Sequence, residues 1–444
     1  MALSAHQDQP PPAAGTTSTA GTPNTTGTPS TPRGLMPLLT LANTAMYTLY
    51  VGVGSVLLPL QIEHIDKADK VAMLGLVSGV SAVFATIFNP VAGALSDRSG
   101  RRNPWILGGG IAAVGAMALL GGVRTVLLVT IAWCLGQAVM NVFQAALTSV
   151  VPDRVPLAAR GRASAAVGIG LPIGSTLGAL IGSVFADHLG TGYLVLGLFV
   201  ALSAALFTAF AREKPRSSAR KEPTPQQETS DEPASAPLKK QFAAFLGALR
   251  HRDFRWAFIG RALLVLGYFC VFGYQLYILQ DHIALPAGMD PEDAVAVLAP
   301  ISAVAMAVST VAGGVLSDRM DRRKLFVAAS AVISAVALLI PAVSPNWTAM
   351  LVFAALNGLG FGCFMAVDNA LVSMILPSAD DAARDLGVLN MAQAGPQILA
   401  PFVASVIVSL CGGSDGGGYT ALFIAGAVLS VLGALAVRPI RGVR

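Results

Sequence analysis

Charge is what this chain has least of. Of its 444 residues only 12% are Asp, Glu, Lys or Arg, 54% are hydrophobic, and the mean hydropathy is +0.66. Soluble domains carry about 25% charged residues, so water is excluded as the solvent for most of this chain. Cysteine is nearly as sparse: Cys134, Cys270, Cys363 and Cys411 each fall inside an apolar run, at no metal-ligand spacing. That excludes a disulfide framework or a zinc site and leaves four small packing residues. No phosphate-binding Gly-rich loop, dinucleotide fingerprint or His-Glu-x-x-His motif occurs, so ATP-driven, cofactor-dependent and zinc chemistry lose their usual signatures. No catalytic residue, cofactor or metal is therefore expected.

Apolar runs near 20 residues recur instead, long enough to cross about 30 Å of hydrocarbon at about 1.5 Å per helical residue. They are continuous rather than alternating, which predicts helices and not barrel strands. The predicted spans are 35–62, 71–96, 105–123, 125–151, 163–186 and 193–211, then 254–280, 294–316, 325–343, 347–376, 386–411 and 419–437. The expectation is an all-α membrane protein of twelve transmembrane helices in two six-helix repeats. Residues 1–34, rich in Pro, Thr, Gly and Ala, read as a disordered tail with no cleavable signal peptide. The first six-helix bundle spans 35–211, a flexible linker 212–253, and the second bundle 254–444.

Lys and Arg set the orientation, because cytoplasmic loops hold the positive excess. With both termini cytoplasmic, 25 of the 29 basic residues lie inside; Lys67, Lys70 and Arg124 fall outside and Arg261 lies within a helix. The net charge of +5 is then a topology signal and an attraction to anionic membrane lipid, and needs no nucleic-acid partner. The sequon Asn346-Trp347-Thr348 falls in an outward loop, where such a tripeptide also arises by chance.

One charged turn occurs twice. Gly93-Ala94-Leu95-Ser96-Asp97-Arg98-Ser99-Gly100-Arg101-Arg102 returns 221 residues later as Gly314-Val315-Leu316-Ser317-Asp318-Arg319-Met320-Asp321-Arg322-Arg323. Leu147, Arg160 and Pro172 likewise match Leu371, Arg384 and Pro396, each 224 residues on. Asn89 to Arg102 resembles the signature of the loop between helices 2 and 3 in the major facilitator superfamily, and the twelve-span plan extends the resemblance over 35–437. The resemblance implies that Asp97 faces the amino end of helix 11, and Asp318 that of helix 5, where a helix dipole favours an anion. Gly93, Asp97, Arg98, Arg101 and Arg102, with Gly314, Asp318, Arg319, Arg322 and Arg323, would then latch the outward-facing state. The alternative is a solvated basic turn that only sets topology.

The resemblance also implies that helices 1, 4, 7 and 10 line a central cavity, and each has a polar or aromatic stripe at helical spacing. These are Asn43, Tyr47 and Tyr50; Gln137, Asn141 and Gln144; Arg261, Tyr268 and Gln275; and Asn357, Phe361, Phe364 and Asp368. Asn390, Gln393 and Gln397 share a face of helix 11. Amides of this kind can also serve only to glue helices. Arg261 and Asp368 are the ionisable residues well inside spans, at matching depths of about 10–12 Å from the cytoplasmic end. They are expected to form an ion pair in which Asp368 titrates during the cycle; a permanent structural pair, or Asp368 latched to Arg322, are the alternatives.

Gly100-Arg101-Arg102-Asn103-Pro104-Trp105-Ile106-Leu107 and Arg384-Asp385-Leu386-Gly387-Val388-Leu389-Asn390 are similar to runs of the glycoside-pentoside-hexuronide and sucrose-type cation symporter branch. Helix 2 offers Asn89 and no acid, however, and Gln144 stands where sucrose-type carriers have an arginine. The resemblance implies a secondary carrier at the cell membrane, functional as a monomer, that moves a small polar organic solute with protons by sugar-like uptake. The alternative is proton-coupled efflux of a drug or secondary metabolite, although the helix 5 run Gly168 to Ser175 matches exporter patterns only loosely.

Overall fold

The computed structural model describes residues 34–99, 101–156, 159–211, 213, 251–374, 382–413 and 417–440. The expected tail and most of the expected linker lie outside them. The described residues form helices throughout, save an isolated bridge between Ala284 and Asn346. Twelve are long and apolar enough to cross a membrane. In chain order they are α1 (Leu35–Ile65), α2 (Lys70–Arg98), α3 (Asn103–Gly122), α4 (Val126–Thr148), α5 (Arg160–Val184) and α6 (Leu189–Phe210). The second set is α7 (Arg252–Phe272), α8 (Pro291–Met320), α9 (Arg323–Val343), α10 (Trp347–Met374), α11 (Ala382–Leu410) and α12 (Gly418–Val437).

Every expected span is there, and two are more irregular than expected. In α1 a π-helical turn at Val53–Leu57 interrupts the α-helical pattern; such one-residue insertions re-aim side chains and cluster at functional sites. The seventh span, expected as one helix over 254–280, stops at Phe272. The chain turns at Gly273 and Tyr274 and resumes as a short helix, Gln275–Asp281. Asn346 of the sequon starts α10, its Oδ1 accepting the Ala349 N–H at 2.9 Å. The four cysteines are free thiols.

The two halves repeat one packing pattern. In the first, α1 lies on α5, α2 on α4, and α3 on α6; in the second, α7 lies on α11, α8 on α10, and α9 on α12. Lipid-soluble helices gain little by hiding apolar surface from each other, so close approach matters more. A Cβ on Gly174 or Gly178 of α5 would stand 2.6 Å from the Thr44 carbonyl oxygen or 2.5 Å from that of Thr48 in α1. Those glycines let the two backbones touch. Between halves, α5 meets α8 and α2 meets α11.

Candidate functional site

A cavity of about 630 Å³ lies between the two halves. From the first half Tyr47, Tyr50, Gly54 and Ser55 of α1, Ser78 and Ser81 of α2, and Trp133, Gln137 and Gln144 of α4 line it. Gly54 and Ser55 fall within the π turn of α1. The second half contributes Tyr268, Phe269 and Phe272 of α7, Gln275 at the restart beyond the break, Asn357 and Phe361 of α10, and Gln393 and Gln397 of α11. Ten of the residues on the expected stripes line this cavity. Tyr50 and Gln144 also meet across α1 and α4, the phenol donating to Oε1 at 3.4 Å.

Two amides do not reach it. The Asn43 amide donates to the Leu39 carbonyl at 2.8 Å, with α5 Gly170 against its Cβ, and the residue is 2% exposed. Asn141 donates to the Gln137 carbonyl of its own helix at 2.9 Å and is 6% exposed. Both are helix-packing groups in this structure. The Asn390 side chain lies outside the described residues.

The second-half wall is aromatic. Tyr268 stacks on Phe361 with centroids 3.9 Å apart and planes 17° from parallel, and on Phe272 at 5.8 Å and 16°. Phe269 meets Tyr268, Phe272 and Phe361 edge to face. Beyond this column, two turns along each helix, Arg261 Nε donates to Asp368 Oδ2 at 2.5 Å. Both residues are buried, at 6% and 3% exposure, beside buried Leu264, Val265, Phe364 and Val367. The expected pair therefore forms, but behind the cavity and not as part of its lining. Asp368 bonds Arg261 and not Arg322.

A charge cluster missed by the sequence reading closes one end of the cavity. Lys70 Nζ lies 3.2 Å from Glu63 Oε1 and 2.9 Å from Asp281 Oδ1, and 4.8 Å above the Tyr277 ring. Gln280 donates to Glu63 Oε1 at 2.6 Å, and the Tyr419 hydroxyl to Asp281 Oδ2 at 3.0 Å. Tyr277 reaches the Pro59 carbonyl, Tyr274 those of Val71 and Pro401, and Ser183 the Asp293 carboxylate. A Cβ on Gly79 of α2 would fall within the Phe402 ring of α11. Partial burial lowers the pKa of the adjacent His282, whose ring lies 6.2 Å from that of Tyr419. These bonds between the halves lie at the distal end, away from the start of α1 and the end of α12. These groups sit at span ends, where a lone charge reads as loop. Their one signal was Lys67 and Lys70 on the side otherwise poor in basic residues.

Of the expected latch, the side chains of Gly93, Asp97 and Arg98 lie outside the described residues. Asp318 bonds Arg323 of its own turn at 3.0 Å and is exposed, so it does not engage α5 here. Arg319 and Arg322 are exposed, as is Arg101. Gly314 lies 3.8 Å from Ala366 by its would-be Cβ. Arg102 is turned inward instead, 3.0 Å from Asp153, while Arg154 bonds Glu213 and Asn103. The run from Arg101 to Trp105 thus ties α3 to the ends of α4 and α6.

Two stacked halves, a polar cavity between them and one sealed end are the geometry of a carrier. The sequence matches the profile of the Major Facilitator Superfamily over residues 39–290 and 288–443. The chain belongs to that superfamily. It is a multi-pass membrane protein by its twelve spans, and it is similar in fold to several solved carriers. A bacterial homologue of the human lysosomal transporter Spinster, in an inward-facing and occupied conformation, aligns at TM-score 0.71 and 15% identity over 91% of this chain and 95% of that one. The nucleoside transporter NupG aligns at 0.72 and 14% over 92% and 99%. The multi-drug resistance efflux pump PmrA of Streptococcus pneumoniae is 29% identical over 164 residues, which are 35% of this facilitator and 40% of the pump. The chain thus spans about two fifths of the length of that curated relative.

Proposed function

We propose that the chain is an alternating-access secondary carrier at the cell membrane, moving a small polar organic solute with protons. Its halves, 35–211 and 254–444, rock about the cavity, the linker 212–253 and both termini being cytoplasmic. On that orientation the sealed distal end is extracellular and the conformation inward-facing, and Asp318 is the latch of the opposite, outward-facing state. The observation that carries the reading is the cavity wall itself: residues from the stripes on α1, α4, α7 and α10 line a single space. Asp368 is the coupling group, with Arg261 its resting partner. The similarity of 100–107 and 384–390 to the glycoside-pentoside-hexuronide and sucrose-type branch supports uptake of a sugar-like solute.

Export is the second reading, favoured by the stretch of similarity to a multi-drug efflux pump. Counterflow in proteoliposomes separates the two, with a sugar panel set against a dye and antibiotic panel under imposed pH gradients. Uptake predicts counterflow of sugars, and accumulation when the outside is acid. Counterflow confined to dyes and antibiotics would replace uptake with export, and none with either panel would remove the carrier reading.

A further inference from the structure

The cavity lining contains no Asp, Glu, Lys, Arg or His among its described residues. Among its described residues the polar groups are Tyr, Ser, Gln and Asn, and the rest are apolar or aromatic. Arg261 and Asp368, two turns along α7 and α10 from the ring column, already neutralise each other. A solute bearing a formal charge would lose its water on entering and find no counter-charge. A ring face attracts a cation, but less strongly than the lost hydration opposes it.

Two further observations describe what the cavity does offer. The Phe361, Tyr268 and Phe272 rings form a near-parallel column on the second-half wall. One turn from Phe361 on the same face, Asn357 Oδ1 is buried without a hydrogen-bond partner. An unpaired buried acceptor is costly, and a hydroxyl or N–H of a ligand removes that cost. Across the space stand Gln137, Gln144 and Ser81, which both donate and accept.

We propose that the cargo is an uncharged molecule combining one flat unsaturated ring with a hydroxyl-rich or N–H-bearing edge, the ring against the Tyr268–Phe361 column and a donor on Asn357 Oδ1. Organic cations and carboxylate or phosphate anions find no counter-charge among the described lining residues and are expected to bind more weakly. This rests on the cavity being the solute site, and it identifies Asn357 and Phe361 as residues that set specificity.

The test is equilibrium binding to the purified full-length chain, using phenyl β-glucoside and uridine as ring-bearing neutral probes, methyl β-glucoside as a ringless one, and ethidium as a flat cation. At least one ring-bearing neutral probe should bind about tenfold or more tightly than methyl β-glucoside, with ethidium weakest. Phe361→Ala should erase the preference for a ring, and Asn357→Leu should weaken the best probe about tenfold. Asn357→Asp, almost the same shape, should admit ethidium; melting curves confirm that each variant is folded. Ethidium as the tightest ligand of the unaltered chain, or equal binding with and without a ring, overturns the cargo class and leaves the carrier intact. Binding order unmoved by both Phe361→Ala and Asn357→Leu does the same. No binding and no counterflow with any of the four removes the carrier reading and the cargo class with it.

Discussion

Arg261 and Asp368 are held by each other where neither could stand alone. Removing one member of such a buried pair costs about 3–5 kcal/mol, because the other charge is left in a dry site. Asp368→Asn is therefore expected to lower the melting temperature and abolish accumulation driven by a pH gradient, while solute exchange without a gradient continues. The apolar pair Arg261→Met with Asp368→Leu should recover the melting temperature but not the coupling. Full proton coupling in either variant would leave the pair a structural fastener. The pairing itself was legible in the sequence, since two opposite charges at equal depth in apolar helices have few other partners. The amides were less legible: a period of 3.6 groups Asn43 with Tyr47 and Tyr50 but does not say where the stripe's edge falls. Asn43 sits past that edge, against α5, where its amide turns back to its own helix.

The elements show a similar limit. Span lengths follow from hydrocarbon thickness and were readable to within a few residues, whereas the π turn in α1 and the break after Phe272 are marked only by Gly54 and Gly273, and glycines also occur in unbroken spans. The break matters, since the short helix Gln275–Asp281 carries Gln275 on the cavity and Tyr277, Gln280 and Asp281 in the distal seal. Lys70 is the only cation in that seal and bonds an acid from each half. Lys70→Met would leave Glu63 and Asp281 facing one another across the junction. Spin labels in the loops 66–69 and 284–290 are then expected to move apart, with the distal-open population rising about tenfold or more for a few kcal/mol of lost attraction. An unchanged distance distribution would mean that the α2–α11 and α5–α8 packing closes this end without the ion pairs.

Over the whole molecule the duplication extends from sequence into role. Asn103 donates to the Ala211 carbonyl at the end of α6, and 221 residues later Lys324 donates to the Ile440 carbonyl just beyond α12. Tyr193 donates to Gln61, and Tyr419 to Asp281, at matching corners of the two halves. The second copy has an acid where the first has an amide, and that acid bonds Lys70 of the opposite half. Twelve spans and a two-fold plan were plain in the sequence because lipid imposes them. The seal was not, because it depends on which charges at the ends of separate spans meet once the halves close.

The uncharged lining also has an electrical consequence. With Arg261 and Asp368 paired, that pair and the described cavity lining add no net charge to the moving parts, so neither adds electrical work to the return of the unloaded carrier. A proton on Asp368 makes that stroke carry one elementary charge, which is about 2.3 kcal/mol for every 100 mV. Currents recorded from carrier-loaded membranes should accordingly be set off by an uncharged cargo together with an acid step, and vanish in Asp368→Asn. Membrane voltage thus acts on the loaded half of the cycle and leaves the empty half to thermal motion.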